Sequence, residues 1–451
     1  MDELGIYGKI IRDYETDGFM TSNGGQVCKC AIRAVQLADG KIVLKCHFVE
    51  DTTIVLSILQ KENSVVSIKG DIKDTELTIE GQIFLTNTNI HTTTTGITID
   101  IIIIASSMKV VGHRTEFTDS VRFGLTNFEF YGNKYREYPN GGGAWDILSV
   151  NLEGKLVEIY EIQNHKFIME SIKSQKSIDV TCESLIPLTS LGDLDTITDF
   201  VDNLCELLSL ARGTKINWIY YDCYDSAGKK VVSFHKNSIV WQYVGLPLID
   251  HRNPKDTVSF VEQTFSNYLS YKNDLNTAIE TYLDAKRETG FLEIRALKAV
   301  VVLEFLNSKY ASRKDIDFIL HANKFRNVRH AVIDALTEQS KEIPFHPKIL
   351  DDMILKINEL NRFTFRSILE TMLHEYNIVM TDVDLDRFIK IRNSLVHKAS
   401  FLTDNYWDEY CFLLGVLDRI FLKMLNYNGS FLDITNKFAR VETPKNYGQI
   451  K

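Results

Sequence analysis

Long apolar runs are missing from this chain. Nothing in it approaches the roughly 18 consecutive residues that cross a bilayer, and the strongest candidate, Ile101 to Ile104, is a short strand-like stretch beside Asp100. No leader is expected either, because the first residues, MDELGIYGKI, are acidic and carry no apolar core. The expectation is a cytoplasmic protein with no membrane partner. Positive charge is also scarce, with a net charge of −9. Residues 1–250 hold 23 basic and 33 acidic side chains, whereas residues 251–451 hold 28 and 27. Affinity for phosphates comes largely from lysine and arginine, so the chain is a poor non-specific nucleic-acid binder. Only the second half could tolerate RNA, and only through a local basic site.

Cysteine is sparse: seven residues, an odd number, spread over 451 positions do not suggest a disulfide framework. Cys28 and Cys30 share one face if they lie on a strand, and Cys46-His47 follows. A zinc site is conceivable there, but the second half lacks a C-x-x-C spacing, and buried free thiols are the favoured reading. What remains is ordinary for a globular protein, with 44% hydrophobic and 25% charged residues. The length predicts two or three domains.

The first half reads as strands between turns. Lys41 to Val49 and Ser64 to Gly70 are rich in β-branched residues, Thr75 to Leu85 alternates apolar with polar, and Ile97 to Ile104 and Val121 to Tyr131 continue the pattern. Thr92 to Thr95 reads as an exposed hairpin loop. Tyr138-Pro-Asn-Gly-Gly-Gly-Ala-Trp145 is strong punctuation. It lacks the lysine of a phosphate-binding loop, has no dinucleotide-binding spacing and sits in no βαβ pattern, so it reads as a loop between strands or subdomains. Further strands are expected at Leu156 to Ile162, Lys166 to Ile172, Asn217 to Tyr221 and Lys230 to His235, the last two joined by a turn around Asp225 to Gly228. One helix interrupts them at about 194–211. Two subdomains are expected, 1–135 and 136–250.

The period changes near Pro254. Val261, Phe265, Tyr268, Leu269, Leu275, Ile279 and Leu283 recur at mostly three- and four-residue intervals, the mark of an amphipathic helix. Beyond Gly290, the segment Phe291 to Leu306 is apolar on nearly every side, which suits the middle of a bundle. More helices are expected at about 315–338, 347–360, 363–375, 384–399 and 404–426, with a break at Pro344 and Pro347. The fold class is therefore multidomain α+β: a β-rich N-terminal region, an all-α bundle over about 255–428, and a polar, peripheral tail over 429–451.

One segment of the bundle carries candidate chemistry. In Arg392-Asn393-Ser394-Leu395-Val396-His397 an arginine precedes an asparagine and, four residues further on, a histidine. At about 100° per residue, Phe388, Ile391, Leu395 and Ala399 stack as the packed seam, and His397 falls opposite them beside Asn393 and Lys390. Asn393 is placed to orient the imidazole. Arg392 falls within an apolar arc with Ile389 and Val396, where a guanidinium is costly unless it meets an anion. A straight helix sets Arg392 and His397 about 140° apart, so a shared phosphate requires a bordering cleft or a second chain. Arg326-Asn-Val-Arg-His330 imitates the motif one residue too short, and with Lys324 forms a basic face. His321 and His374 stand alone as surface or helix-end residues.

On these residues the chain resembles HEPN-domain proteins, and in its arrangement the ApeA-like members of bacterial antiphage defence. The family signature is an arginine, a polar residue, three variable residues and a histidine, and Arg392, Asn393 and His397 match it. Ala299-Val-Val-Val-Leu-Glu-Phe-Leu306 is similar to the family's early core helix, with Glu304 as its glutamate. More loosely, Val121 to Phe130 and Leu208 to Thr214 resemble the family's N-terminal region. The resemblance implies a HEPN helical bundle acting as a metal-independent endoribonuclease without a cofactor, as a homodimer or higher homo-oligomer. His397 would handle protons as the ribose 2′-hydroxyl attacks the neighbouring phosphate, Arg392 would hold that phosphate, and Asn393 would orient the histidine or the RNA. Glu304 would position Arg392. Lys390, Lys398, Lys324, Arg326 and Arg329 are candidate RNA contacts, tRNA or another RNA the substrate, and a phage protein the trigger sensed by the β-rich region. Two other readings stay open: a non-catalytic helical adaptor that uses Arg392 and His397 at a dimer interface, and a ligand-binding β-region with the bundle for oligomerisation.

Overall fold

In the computed structural model the described residues are 4–22, 25–50, 54–55, 67–72, 75–93, 96–112, 118–138, 141–175, 177–188, 190–238, 243–288, 290–342 and 347–442. The chain forms two compact units, residues 1–269 with 429–432 and residues 270–428 with 433–451. The architecture is α+β, a large antiparallel sheet followed by a helical region. Residues 64–66, Thr94, Thr95, Pro139, Asn140, Pro344 and 443–451 lie outside the described residues.

Period-two patterning builds a barrel first. The strands are β1 (Ile10–Thr21), β2 (Val27–Leu37), β3 (Ile42–Phe48), β4 (Ser67–Ile72), β5 (Thr75–Thr93) and β6 (Gly96–Gly112). They pair in the order β3-β2-β1-β4-β5-β6, and β3 also pairs with β6 from Ile42↔Ala105 to Phe48↔Ile99, which closes the ring. Closure leaves no unpaired edge along that stretch. Alternate residues fill the interior: Cys28, Cys30, Ile32 and Ala34 from β2, Ile42, Leu44, Cys46 and Phe48 from β3, and Ile99, Ile101 and Ile103 from β6. Where β1 crosses β4, Gly18 sits opposite Gly70. A Cβ on Gly18 would come 2.1 Å from the Lys69 carbonyl, so glycine is what permits the close approach.

The second half of β6 leaves the barrel and pairs with β13 (Lys230–Lys236), from Val111↔Val232 to Ser107↔Lys236. The sheet then continues through β12 (Trp218–Tyr224), β7 (Ser120–Thr126), β11 (Val180–Pro187), β10 (Lys155–Glu161), β9 (Gly143–Leu152) and β8 (Lys134–Glu137). Strands from both expected subdomains alternate in this order, so a boundary at 135/136 does not divide the structure. Two helices accompany the sheet, α1 (His165–Gln175) and α2 (Leu194–Arg212). The segment Lys166 to Ile172, expected as a strand, lies in α1. Its buried residues, His165, Met169 and Ile172, are spaced four and three apart, a helical interval. Asn127 adopts a left-handed φ of 59° and ends β7 earlier than the expected Tyr131. The glycine-rich loop joins β8 to β9 as a hairpin.

The helices of the remainder are α3 (Pro254–Lys286), α4 (Leu292–Lys314), α5 (Ala322–Glu342), α6 (Pro347–Ile357), α7 (Phe365–Glu375), α8 (Asp382–Lys398) and α9 (Tyr406–Met424). The division between units falls inside α3, at Leu269/Ser270, and not before it at 255. In the second unit α4 packs against α7, α8 and α9. It runs eight residues beyond the expected Leu306, and Asp315, expected to open the next helix, instead caps α4 in a left-handed conformation at φ 55°. Helix α5 carries no buried position among its described residues. The expected peripheral tail is corrected too, because Ser430, Phe431, Leu432, Asp433 and Ile434 are buried.

Candidate functional site

Helix α8 is well specified at both ends. Thr381 caps its N-terminus, the hydroxyl accepting from the Asp384 amide at 3.1 Å, and Asp382 and Asp384 lie in the first turn, where the helix dipole favours negative charge. Ala399 is the C-cap at φ 51°, its amide donating to the Leu395 carbonyl at 3.1 Å. It is exposed and so does not belong to the seam, which consists of Leu385, Phe388, Ile391, Ser394 and Leu395. The seam ends one turn early because the helix itself ends there.

Arg392 leaves that seam at its edge. Its Nε donates to Glu304 Oε1 at 2.6 Å, its Nη2 reaches the same oxygen, and its Nη1 donates to Asn393 Oδ1 at 2.8 Å. The guanidinium carbon lies 5.2 Å from the Phe365 ring centroid, so α4, α7 and α8 together fix the group. The side chain is 22% exposed and Glu304 37%. The expected apolar arc around Arg392 is looser than the wheel suggests, with Ile389 half-buried and Val396 exposed. His397 stands in the last turn of α8, exposed. Asn393, expected to orient the imidazole, instead engages the arginine. The reason is local: with Nε and Nη2 both on Glu304, the Nη1 of Arg392 is left to meet the amide oxygen of its neighbour Asn393.

Lys390 and Lys398 share α8 with this cluster, whereas the remaining candidates stand on other elements. Lys390 and Lys398 are exposed on α8, Lys324 and Arg326 are exposed on α5, and Arg329 is half-buried there. His374 is exposed in the last turn of α7, and His321 precedes α5. Cys28, Cys30 and Cys46 lie inside the barrel, where a hydrogen bond with Cys30 and burial push the Cys46 thiol well up. Among the described residues no group of three or more histidine, cysteine or carboxylate side chains is placed to hold a metal.

Two polar clusters of the first unit were not anticipated. In one, the stretches Val121 to Phe130 and Leu208 to Thr214 meet. Glu129 accepts from Arg212 Nη2 at 3.2 Å, Tyr243 at 3.0 Å and Lys173 at 2.5 Å, with His251 Nε2 3.5 Å away. Burial opposes the charge on Glu129, but Lys173, Arg212 and His251 outweigh it and hold the carboxyl below its usual range. Burial, then Arg212, lowers His251 to about 4. The other cluster lines a cavity over β7, β10 and β11. Only an arginine and a glutamate 83 positions apart could have signalled the first, and nothing in their spacing does.

No family model, curated protein or solved structure matches the chain.

Proposed function

We propose that the chain is a metal-independent endoribonuclease of HEPN type, in which Arg392 and His397 act on RNA across a groove between two copies, as an antiphage effector whose β-rich region senses a viral trigger. The observation that carries this reading is the tethered guanidinium. Glu304 and Asn393 hold Arg392 in one direction at the helix surface while leaving one N–H on each of Nη1 and Nη2 for an incoming phosphate. Preorganised donors of that kind stabilise charge that develops in a transition state. His397, exposed five positions later, would accept the 2′-hydroxyl proton and return one to the leaving oxygen. Because the two side chains diverge around α8, a two-fold pair of chains would bring His397 of one copy towards Arg392 of the other. Lys390 and Lys398 on the same helix would add phosphate affinity, with tRNA loops or other single-stranded RNA as substrate.

A second reading rests on a specific observation. All three N–H···O contacts that fix Arg392 run to Glu304 or Asn393, and the Asn393 amide oxygen is engaged by the arginine and not by His397. That pattern also suits an adaptor whose arginine merely braces α4 against α8. Incubating the protein with total RNA in EDTA separates the two. Cleavage that is lost in both Arg392→Ala and His397→Ala supports the nuclease. RNA left intact, with and without phage extract, supports the adaptor, and a requirement for a divalent ion overturns the mechanism.

A further inference from the structure

The sheet of the first unit presents, over β7, β10 and β11, a cavity of about 440 Å³ lined by Arg122, Arg136, Tyr160, Glu161, Gln163 and Glu183, among others. Its charges can be matched almost completely. Arg136 bridges Asp146, lies 5.6 Å from the Tyr160 ring centroid, and donates to the backbone carbonyl of Glu161 at 3.2 Å. Arg122 faces Glu183 at 3.7 Å and stacks over Tyr224 at 5.2 Å, and Glu183 also accepts from Tyr220 at 2.9 Å. Lys134 answers Glu158 at 2.5 Å. Glu129, which does not line the cavity, is taken up by Lys173 and Arg212.

Glu161 is the carboxyl left over. Its basic partner among the described residues is His165 Nδ1 at 3.3 Å, an imidazole whose pKa burial lowers. Burial, then repulsion by Asp146, raises Glu161 to about 7, with Arg136 opposing and Glu129 adding to the rise. Of the two carboxylates that line the cavity, Glu183 is answered by Arg122, while Arg136 is committed to Asp146, so the negative charge left in excess is that of Glu161. An anion would meet that excess as repulsion, whereas a cation would complete the balance and gain the Tyr160 ring face. We infer that this cavity binds an organic cation, a primary ammonium or a guanidinium, with Glu161 as its counter-charge and Gln163 and Tyr160 beside it.

The cation could be a free amine or a basic side chain of a protein partner. Calorimetric titration of the full chain at pH 8 distinguishes them, with agmatine and putrescine in one arm, short lysine- or arginine-containing peptides in another, and equal ionic strength of sodium chloride as control. Binding in either arm supports the inference and names the source. Glu161→Gln weakens it roughly tenfold or more, as loss of a charge-assisted bond requires. Glu161→Asp, which keeps the charge, stays within a few-fold, so a lost counter-charge is told apart from a damaged fold. Near pH 7 the binding heat depends on the buffer, because the cation drives a proton off Glu161. No heat from any cation on the folded protein, an unchanged affinity in Glu161→Gln, or preferential binding of an anion such as citrate overturns it.

Discussion

Two arginines of this chain are each answered by a glutamate, and they do opposite things. Arg212 is 1% exposed and its partner Glu129 15%, whereas Arg392 is 22% exposed and Glu304 37%. Arg212 closes a network with Tyr243, His251 and Lys173, and its Nε and Nη1 sit buried without a partner. Arg392 is gripped from one side, by α4 and α8, and keeps its outer edge towards solvent. The difference lies in burial. A fully desolvated ion pair commits the fold around it, because removing one partner strands a charge in a medium that cannot solvate it. A half-exposed pair commits little stability and leaves a guanidinium oriented for something else.

The comparison can be broken in four ways, and the largest effect is expected in the buried pair. Arg212→Ala takes the buried guanidinium out of the network, leaves Glu129 with Lys173 as its remaining cation, and costs about 3–5 kcal/mol in denaturant unfolding. A loss below about 1 kcal/mol would make the two pairs equivalent. Next come Arg392→Ala and His397→Ala, each expected to reduce RNA cleavage by about a hundredfold or more on the proposed mechanism, with unfolding midpoints close to the parent. A matching collapse in stability would mean that Arg392 is structural after all.

The third concerns pH. Burial lowers both His251, to about 4, and His235, to about 3, against an ordinary value of 6.5. The unfolded chain therefore binds protons that the folded one refuses. Their contribution is present above about pH 6.5 and is lost as pH falls towards 4, by up to about 3 kcal/mol for each histidine. Denaturant titrations from pH 8 to 4 read this, and His235→Gln should flatten the slope, since a glutamine can still meet Gln36 and Tyr14. The smallest effect belongs to Glu304→Gln. It keeps a hydrogen bond to Arg392 but removes the charge, so stability should move by less than about 1 kcal/mol. Cleavage should fall by about tenfold, measured with end-labelled tRNA.

Much of the local structure was legible. The β-branched stretch Lys41 to Val49 and the alternation over Thr75 to Leu85 fall in β3 and β5, and the three- and four-residue spacing from Val261 to Leu283 falls in α3. The misreadings have local causes. In α1 the apolar residues Phe167, Ile168 and Met169 run consecutively, which looks like a strand core until Ile172 is seen to share a face with Met169. At Asp315 an unbroken polar run hides a left-handed cap. In the tail, Phe431, Leu432 and Ile434 are apolar enough to have signalled burial, but a short segment between polar stretches has too few residues to show a period. In the candidate site, Arg392, Asn393 and His397 are visible as a spacing, while the partner that Asn393 takes is not, because a helical wheel places Cβ atoms and not the direction of a long side chain.

The order of amino acids determined which stretches pleat and which coil, since period and capping act over a few residues. It also determined that one helix would carry an arginine and a histidine on different faces. Tertiary structure alone decided that β3 would meet β6 and close a barrel, that Glu129 would find Arg212, and that Glu161 would meet His165 rather than a lysine or arginine among the described residues. Those outcomes depend on contacts between residues far apart in the chain, where the free energy comes from desolvation and charge pairing that no local pattern encodes.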